Sequence, residues 1–228
     1  MRGALVPHAP LLLPEVTTHP DGLSDIWDAL GRIRIPTEAQ VLVLTPHSAG
    51  FGCYTKAEGS LRGFGLDIAG AFPPGHGADL DLPPLEGLLD HGALVPLLLL
   101  GVTAPVSVVG LEDATDVTDL ARSVRTLAAE KETFVLASAH TSTRLTERAP
   151  LPYSYDAVRL ESRFITGVES DCAAARELAD ELRAVGNTCS LSTLRAFGEL
   201  FAGAEGNVMA YGSPYGVGYP VVTAEIDV

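Results

Sequence analysis

The side chains best suited to chemistry in this sequence are its histidines: His8, His19, His47, His76, His91 and His140. Three share a setting. His8 in VPHAP, His47 in LTPHSAG and His140 in LASAHTS each follow an apolar run that reads as a buried strand, and His91 in LLDHGALVPL precedes one. Neutral imidazole ligates iron, zinc and copper, and in an open α/β sheet the carboxyl ends of strands gather at one crevice. Two histidines with a carboxylate would leave open positions on Fe(II) for substrate and oxygen. The plainer reading, a strand-end residue bonded to its own loop, suits any one histidine taken alone. It suits His8 and His47 together less well, since each lies beside proline just past an apolar strand. His19 and His76 lie in polar loops and read as solvated.

The elements that must position these residues alternate. Gly3 to Val6 is a short apolar run ending at a proline, Val41 to Thr45 is a continuous β-branched-rich run with the pattern of a strand buried on both faces, and Val106 to Leu111 and Phe134 to Ala139 read as two more buried strands. Phe51 to Lys56 is expected as a strand beside Val41 to Thr45, and Val208 to Tyr211 and Tyr219 to Ile226 close the chain. One helix is predicted from Val117, Leu120, Val124 and Leu127, capped by Thr115 or Asp116. A second follows from Ala175, Leu178, Leu182 and Val185, stopped by Gly186. A third follows from Leu191, Leu194, Phe197 and Phe201, ending at Gly203. Gly59 to Pro84, rich in Gly, Pro and Asp, reads as an irregular excursion. No repeat or linker divides the chain. The expectation is one domain over 1–228, a three-layer α/β fold with a central mixed, mostly parallel sheet flanked by helices.

Composition limits the function further. The 228 residues carry 15 Lys+Arg against 29 Asp+Glu, a formal net charge of -14. Phosphate neutralisation needs clustered cations, so no nucleic-acid partner is expected, and docking on an anionic membrane is equally disfavoured. The most apolar window, Ala93 to Val109, is broken by Pro96, Gly101 and Pro105 and reads as two core elements rather than a membrane span. The first residues lack the basic start and unbroken apolar stretch of a signal peptide. Three widely spaced cysteines, Cys53, Cys172 and Cys189, make neither a disulfide framework nor a zinc ribbon. A cytoplasmic location is the expectation. Gly212 to Gly218 does not join a strand to a following helix as a dinucleotide fingerprint must, and there is no Walker A sequence, G-x-S-x-G elbow or H-E-x-x-H. Ser138 and Ser142 flank His140 along one strand and do not face it as a nucleophile must.

Five segments in order, VPHAPLLLPEV at Val6 to Val16, TPHS at Thr45 to Ser48, DHGALVPL at Asp90 to Leu97, SAHTSTRL at Ser138 to Leu145 and SPYGVGY at Ser213 to Tyr219, resemble the class III (LigB-type) extradiol ring-cleavage dioxygenases. That superfamily also includes the Memo-like proteins. The resemblance implies an α/β fold with non-haem Fe(II) at strand ends, a small aromatic substrate of catechol type, and insertion of both atoms of O2 beside its two hydroxyls. It matches His8 and His47 to the two histidine metal ligands and His91 to a histidine facing the substrate. Two positions depart. Thr143 stands where the family has its acid/base histidine, which leaves His140, three residues earlier, to supply the imidazole. Asn187, in NTCS, stands where the family has its glutamate ligand, with Glu199 and Glu205 as more distant carboxylates that read as solvated surface.

An amide in place of a carboxylate would hold Fe(II) more weakly, and loss of an acid/base group costs about 10²–10⁴-fold. Cys189, two residues beyond Asn187, would as a thiolate be a soft ligand favouring zinc or copper. Read plainly, it is an apolar cysteine at a helix start. Tyr153, Tyr155, Tyr215 and Tyr219 would either line an aromatic cleft or pack loops. The leading expectation is therefore oxygen-dependent extradiol cleavage at a metal held by His8, His47 and Asn187, with His91 and His140 as catalytic residues. The alternatives are a catalytically inactive relative that uses the cleft for binding, with no metal, and a Zn(II)-dependent hydrolase. Assembly of identical chains is left open.

Overall fold

The structure, a computed structural model, describes residues 1–17, 22–111 and 116–228. His19 and the cap candidate Thr115 lie outside the described residues. Ten strands are described: β1 (Arg2–Val6), β2 (Gln40–Thr45), β3 (Gly52–Tyr54), β4 (Glu58–Ser60), β5 (Ala69–Ala71), β6 (Pro84–Leu85), β7 (Val106–Gly110), β8 (Thr133–Ser138), β9 (Asn207–Gly212) and β10 (Tyr219–Glu225). The helices are α1 (Ser24–Leu30), α2 (His91–Leu99), α3 (Val117–Glu130), α4 (Tyr155–Ser170), α5 (Ala173–Glu177), α6 (Ala179–Glu181) and α7 (Leu191–Leu200). Eight of the strands form one sheet in the order β6-β3-β7-β2-β8-β1-β10-β9, and β4 and β5 pair separately.

The centre of the sheet is parallel: β7 with β2, β2 with β8, and β8 with β1. These strands are buried along both faces, as their unbroken apolar runs require. Alternate side chains serve opposite layers. Leu5, Leu42, Leu44, Val109, Val135 and Ala137 pack with α3, α4 and α7. Ala4, Val6, Val41, Val43, Val108 and Leu136 pack with α1 and α2 on the other face. The fold is thus a three-layer α/β domain with a mixed, mostly parallel sheet, as expected.

Three local expectations need correction. The third strand does not lie beside β2, because β7 and β8 occupy both edges of β2; β3 pairs antiparallel with β7 instead. The helix expected from Ala175 to Val185 is broken into α5, α6 and a wide turn over Leu182–Gly186. Its stop is Asn187 rather than Gly186: Asn187 adopts φ 58°, ψ 44°, and its amide donates to the Leu182 carbonyl. A short polar side chain tolerates that left-handed backbone best after glycine. The excursion expected at Gly59 to Pro84 carries the β4–β5 ribbon and short 3₁₀ turns, pinned by Leu61, which is fully buried with Leu13, Leu94 and Val95.

Candidate metal centre

Because β2, β8 and β1 are parallel neighbours, their carboxyl ends share one edge of the sheet. Two residues past each end stands a histidine: His47 after β2, His140 after β8 and His8 after β1. His91 is the first residue of α2, and Asp90 caps that helix with a carboxylate that accepts from the Ala93 amide at 3.2 Å. The four imidazoles meet. The His8 and His47 Nε2 atoms lie 3.1 Å apart, His91 stacks on His47 with ring centroids at 4.2 Å and planes at 28°, and the His140 ring centroid is 5.4 Å from that of His8. His8 forms the floor at 3% exposure, while His47, His91 and His140 are partly exposed, so the cluster opens to solvent on their side.

The fifth member is Cys189. Its Sγ lies 2.9 Å from His140 Nε2, 3.3 Å from His47 Nε2 and 3.6 Å from His8 Nε2. The residues on either side stitch it to the β8 end. Thr188 Oγ1 donates to the His140 carbonyl at 2.6 Å, and Ser190 Oγ accepts from the His140 amide at 3.1 Å. Cys189 is therefore held at the start of α7 by the peptide that carries His140.

Asn187, expected as the third ligand, is corrected here. It is exposed and committed to the left-handed helix stop, and the donor that reaches the imidazoles from this segment is the Cys189 sulfur. Glu199 is ion-paired with Arg176 in the last turn of α7, and Glu205 is exposed. Thr143 donates its amide to the Gly186 carbonyl, while His140 is the imidazole at the site. The tyrosines do not form one cleft: Tyr219 is buried, and Tyr153 and Tyr155 are exposed.

Among the described residues, His8 with His140 and Cys189, and His8 with His47 and His91, are groups that could hold a metal ion; His8, His47 and Cys189, with donors 3.1, 3.3 and 3.6 Å apart, make an overlapping set. None of these includes a carboxylate, so the triad of two imidazoles and a glutamate that the resemblance implies is not assembled among the described residues. The electrostatics suit ligation. His8 is held well below its ordinary pKa, first by burial and then by His140, His47 and His91. His140 is pushed down to about 4 by burial and by His47 and His91; His91 is pushed down to about 4 by burial and His47, against an opposing pull from Asp90. His47 is lowered by burial, and Asp90 again opposes. All four rings are neutral at pH 7, the form in which imidazole binds a metal.

Asp90 carries more of this geometry than sequence reasoning assigned to it. Its Oδ1 also accepts from Thr45 Oγ1 at 2.6 Å, and its Oδ2 from the Tyr54 hydroxyl at 3.3 Å. One carboxylate thus ties the end of β2, strand β3 and the start of α2, fixing His47 and His91 relative to each other. Gly92 completes the fit: a Cβ there would collide with Thr45 Oγ1 and press on the His47 ring. A sequence signal existed in Asp90 directly before a helix start, the position of an N-cap.

No family model matches the chain, and no curated protein matches it. Among solved structures it is similar to the uncharacterized protein JW3007 from Escherichia coli K12, at 16% identity and a TM-score of 0.63, over 99% of this chain and 100% of that one. This likeness concerns the fold. No helix among the described residues is long and apolar enough to cross a membrane.

Proposed function

We propose that this chain is a zinc-dependent hydrolase, its ion held by His8, His47 and Cys189. The observation that carries the reading is the spacing of those donors, 3.1, 3.3 and 3.6 Å. Zinc bonds of about 2.0–2.1 Å to nitrogen and 2.3 Å to sulfur at tetrahedral angles place such donors about 3.4–3.6 Å apart. A thiolate in place of the carboxylate makes this set softer than the two-histidine, one-carboxylate set of Fe(II) oxygenases, and favours zinc. Three protein ligands would leave room for a water on such an ion, and zinc would lower that water's pKa to about 7. The chain's own residues do the rest. His8 seals the floor, His140 presents a neutral Nε2, 2.9 Å from the Cys189 sulfur, that would accept a hydrogen bond or proton at the cluster, and His91 lines the solvent side.

Elemental analysis of protein purified without added metal tests this, with Cys189→Ala alongside. One zinc per chain, lost in the variant and accompanied by hydrolysis of activated esters, is the expected result. Stoichiometric iron with oxygen uptake on a catechol panel would support a second reading, extradiol cleavage of a small aromatic. That reading is favoured by the convergence of His8, His47 and His91, which the resemblance matches to such a site, with His140, three residues before the family's acid/base position. Protein free of any metal would overturn both and leave a binding role for the cleft.

A further inference from the structure

On the open side of the cluster stands one large apolar side chain that the core does not claim. Phe64 is 56% exposed, yet its ring centroid lies 4.9 Å from that of His91, edge to face at 67°. The turn that carries it is tightly specified. Leu61 anchors it in a small core, the Phe64 and Leu66 amides both donate to the Leu61 carbonyl, and Gly65 closes it in the left-handed region at φ 76°. No packing demand of the fold accounts for a phenyl ring here, since most of its surface faces solvent. The His91 ring it meets is itself stacked on His47, so Phe64, His91 and His47 form a run of rings leading from solvent to the donors. Exposed single apolar residues are ordinary on protein surfaces; one that ends such a stack at the mouth of a polar site is not explained by that base level.

We infer that Phe64 is a specificity-determining residue of the metal site, forming with His91 a wall that favours metal-bound ligands bearing a planar ring over compact ones. The inference rests on the reading of the cluster as a metal centre. A ring held against this wall gains face and edge contacts that a methyl group cannot make, whereas the metal-binding part of the ligand is served equally by the donors in either case.

The test uses the full chain loaded with Co(II), whose visible bands report ligand binding, titrated with benzohydroxamate and acetohydroxamate. These probes share one chelating group and differ by phenyl against methyl. Phe64 is exposed, so Phe64→Ala keeps the fold. The expected result is that Phe64→Ala reduces the preference for the phenyl probe about three- to tenfold, that the acetohydroxamate affinity moves less than about twofold, and that Phe64→Trp retains the preference. Bound Co(II) with an unchanged preference in Phe64→Ala, or equal weakening of both probes, would overturn the assignment of Phe64 alone. Failure to take up Co(II) would overturn the metal reading, and this proposal with it.

Discussion

At the scale of single residues, the site turns on two positions two apart in sequence. Asn187 and Cys189 both follow a broken helix, and from sequence the amide aligned more naturally with a missing carboxylate than the thiol did. The backbone decides between them. Asn187 spends its short side chain on a left-handed stop and stays in solvent, whereas Cys189 is turned inward because Thr188 Oγ1 donates to the His140 carbonyl and Ser190 Oγ accepts from the His140 amide. Those clamps join segments almost fifty residues apart, so no local pattern announces them. The histidines were legible because each follows a strand whose apolar run shows on its own. Metal competition titrations should therefore separate the two. Cys189→Ala should weaken metal binding by more than about 100-fold, beyond the loss usual for an outer-shell residue. Asn187→Ala should leave affinity within about twofold while costing about 1 kcal/mol of stability for a β-carbon in the left-handed region, and Asn187→Gly should recover that loss.

At the scale of elements, the four central strands and α3 and α7 follow from periodicity, because burial on both faces and amphipathic spacing leave unmistakable runs. What periodicity does not show is which strand lies beside which. Phe51 to Lys56 is expected beside β2, but the parallel partners β7 and β8 fill both edges of β2, and β3 pairs on the far edge of β7. Helix α4 was hidden for another reason: its apolar stripe, Ala157, Leu160, Phe164 and Val168, is interrupted by a buried carboxylate, Glu161. Between elements, Asp90 is the joint that matters to the site. Asp90→Ala removes an N-cap, worth about 1 kcal/mol, and leaves Thr45 and Tyr54 without their shared acceptor. Chemical denaturation should show a loss of about 1–3 kcal/mol, and metal affinity should fall about 10- to 100-fold as His47 and His91 lose their fixed relation. Asp90→Asn keeps an acceptor for the cap and for Thr45 and should lose less of both.

At the scale of the whole molecule, the net charge of -14 gives no hint that the titrations governing stability near neutrality belong to a few buried groups. Four imidazoles are held below their ordinary pKa, chiefly by burial. The unfolded chain binds their protons near pH 6.5 and the folded chain, for His91 and His140, only near 4. Between those values the unfolded state carries more protons, so stability rises with pH and levels off above about 6.5. Glu161 works in the opposite direction. It is 4% exposed, accepts from Thr141 Oγ1 at 2.6 Å and the Tyr211 hydroxyl at 2.9 Å, and is pushed up to about 7, burial outweighing those hydrogen bonds. Here the folded state binds the extra proton between about 4.5 and 7, so stability falls as pH rises through that range and the loss is complete above it. With four histidines against one glutamate, the unfolded state carries the larger number of protons from pH 5 to 8, so the sum rises from pH 5 to about 7 and levels off above it. Thermal melts of metal-free protein from pH 5 to 8 should trace that curve. Glu161→Gln keeps an acceptor for Thr141 and Tyr211 without a charge to bury. It should steepen the rise between about pH 5 and 7 and stabilise the protein at pH 8 by on the order of 1–3 kcal/mol. A flat profile below pH 6.5 would mean that the four imidazoles are not neutralised by the fold, and a Glu161→Gln variant no more stable than the native chain at pH 8 would mean that Glu161 carries no costly buried charge.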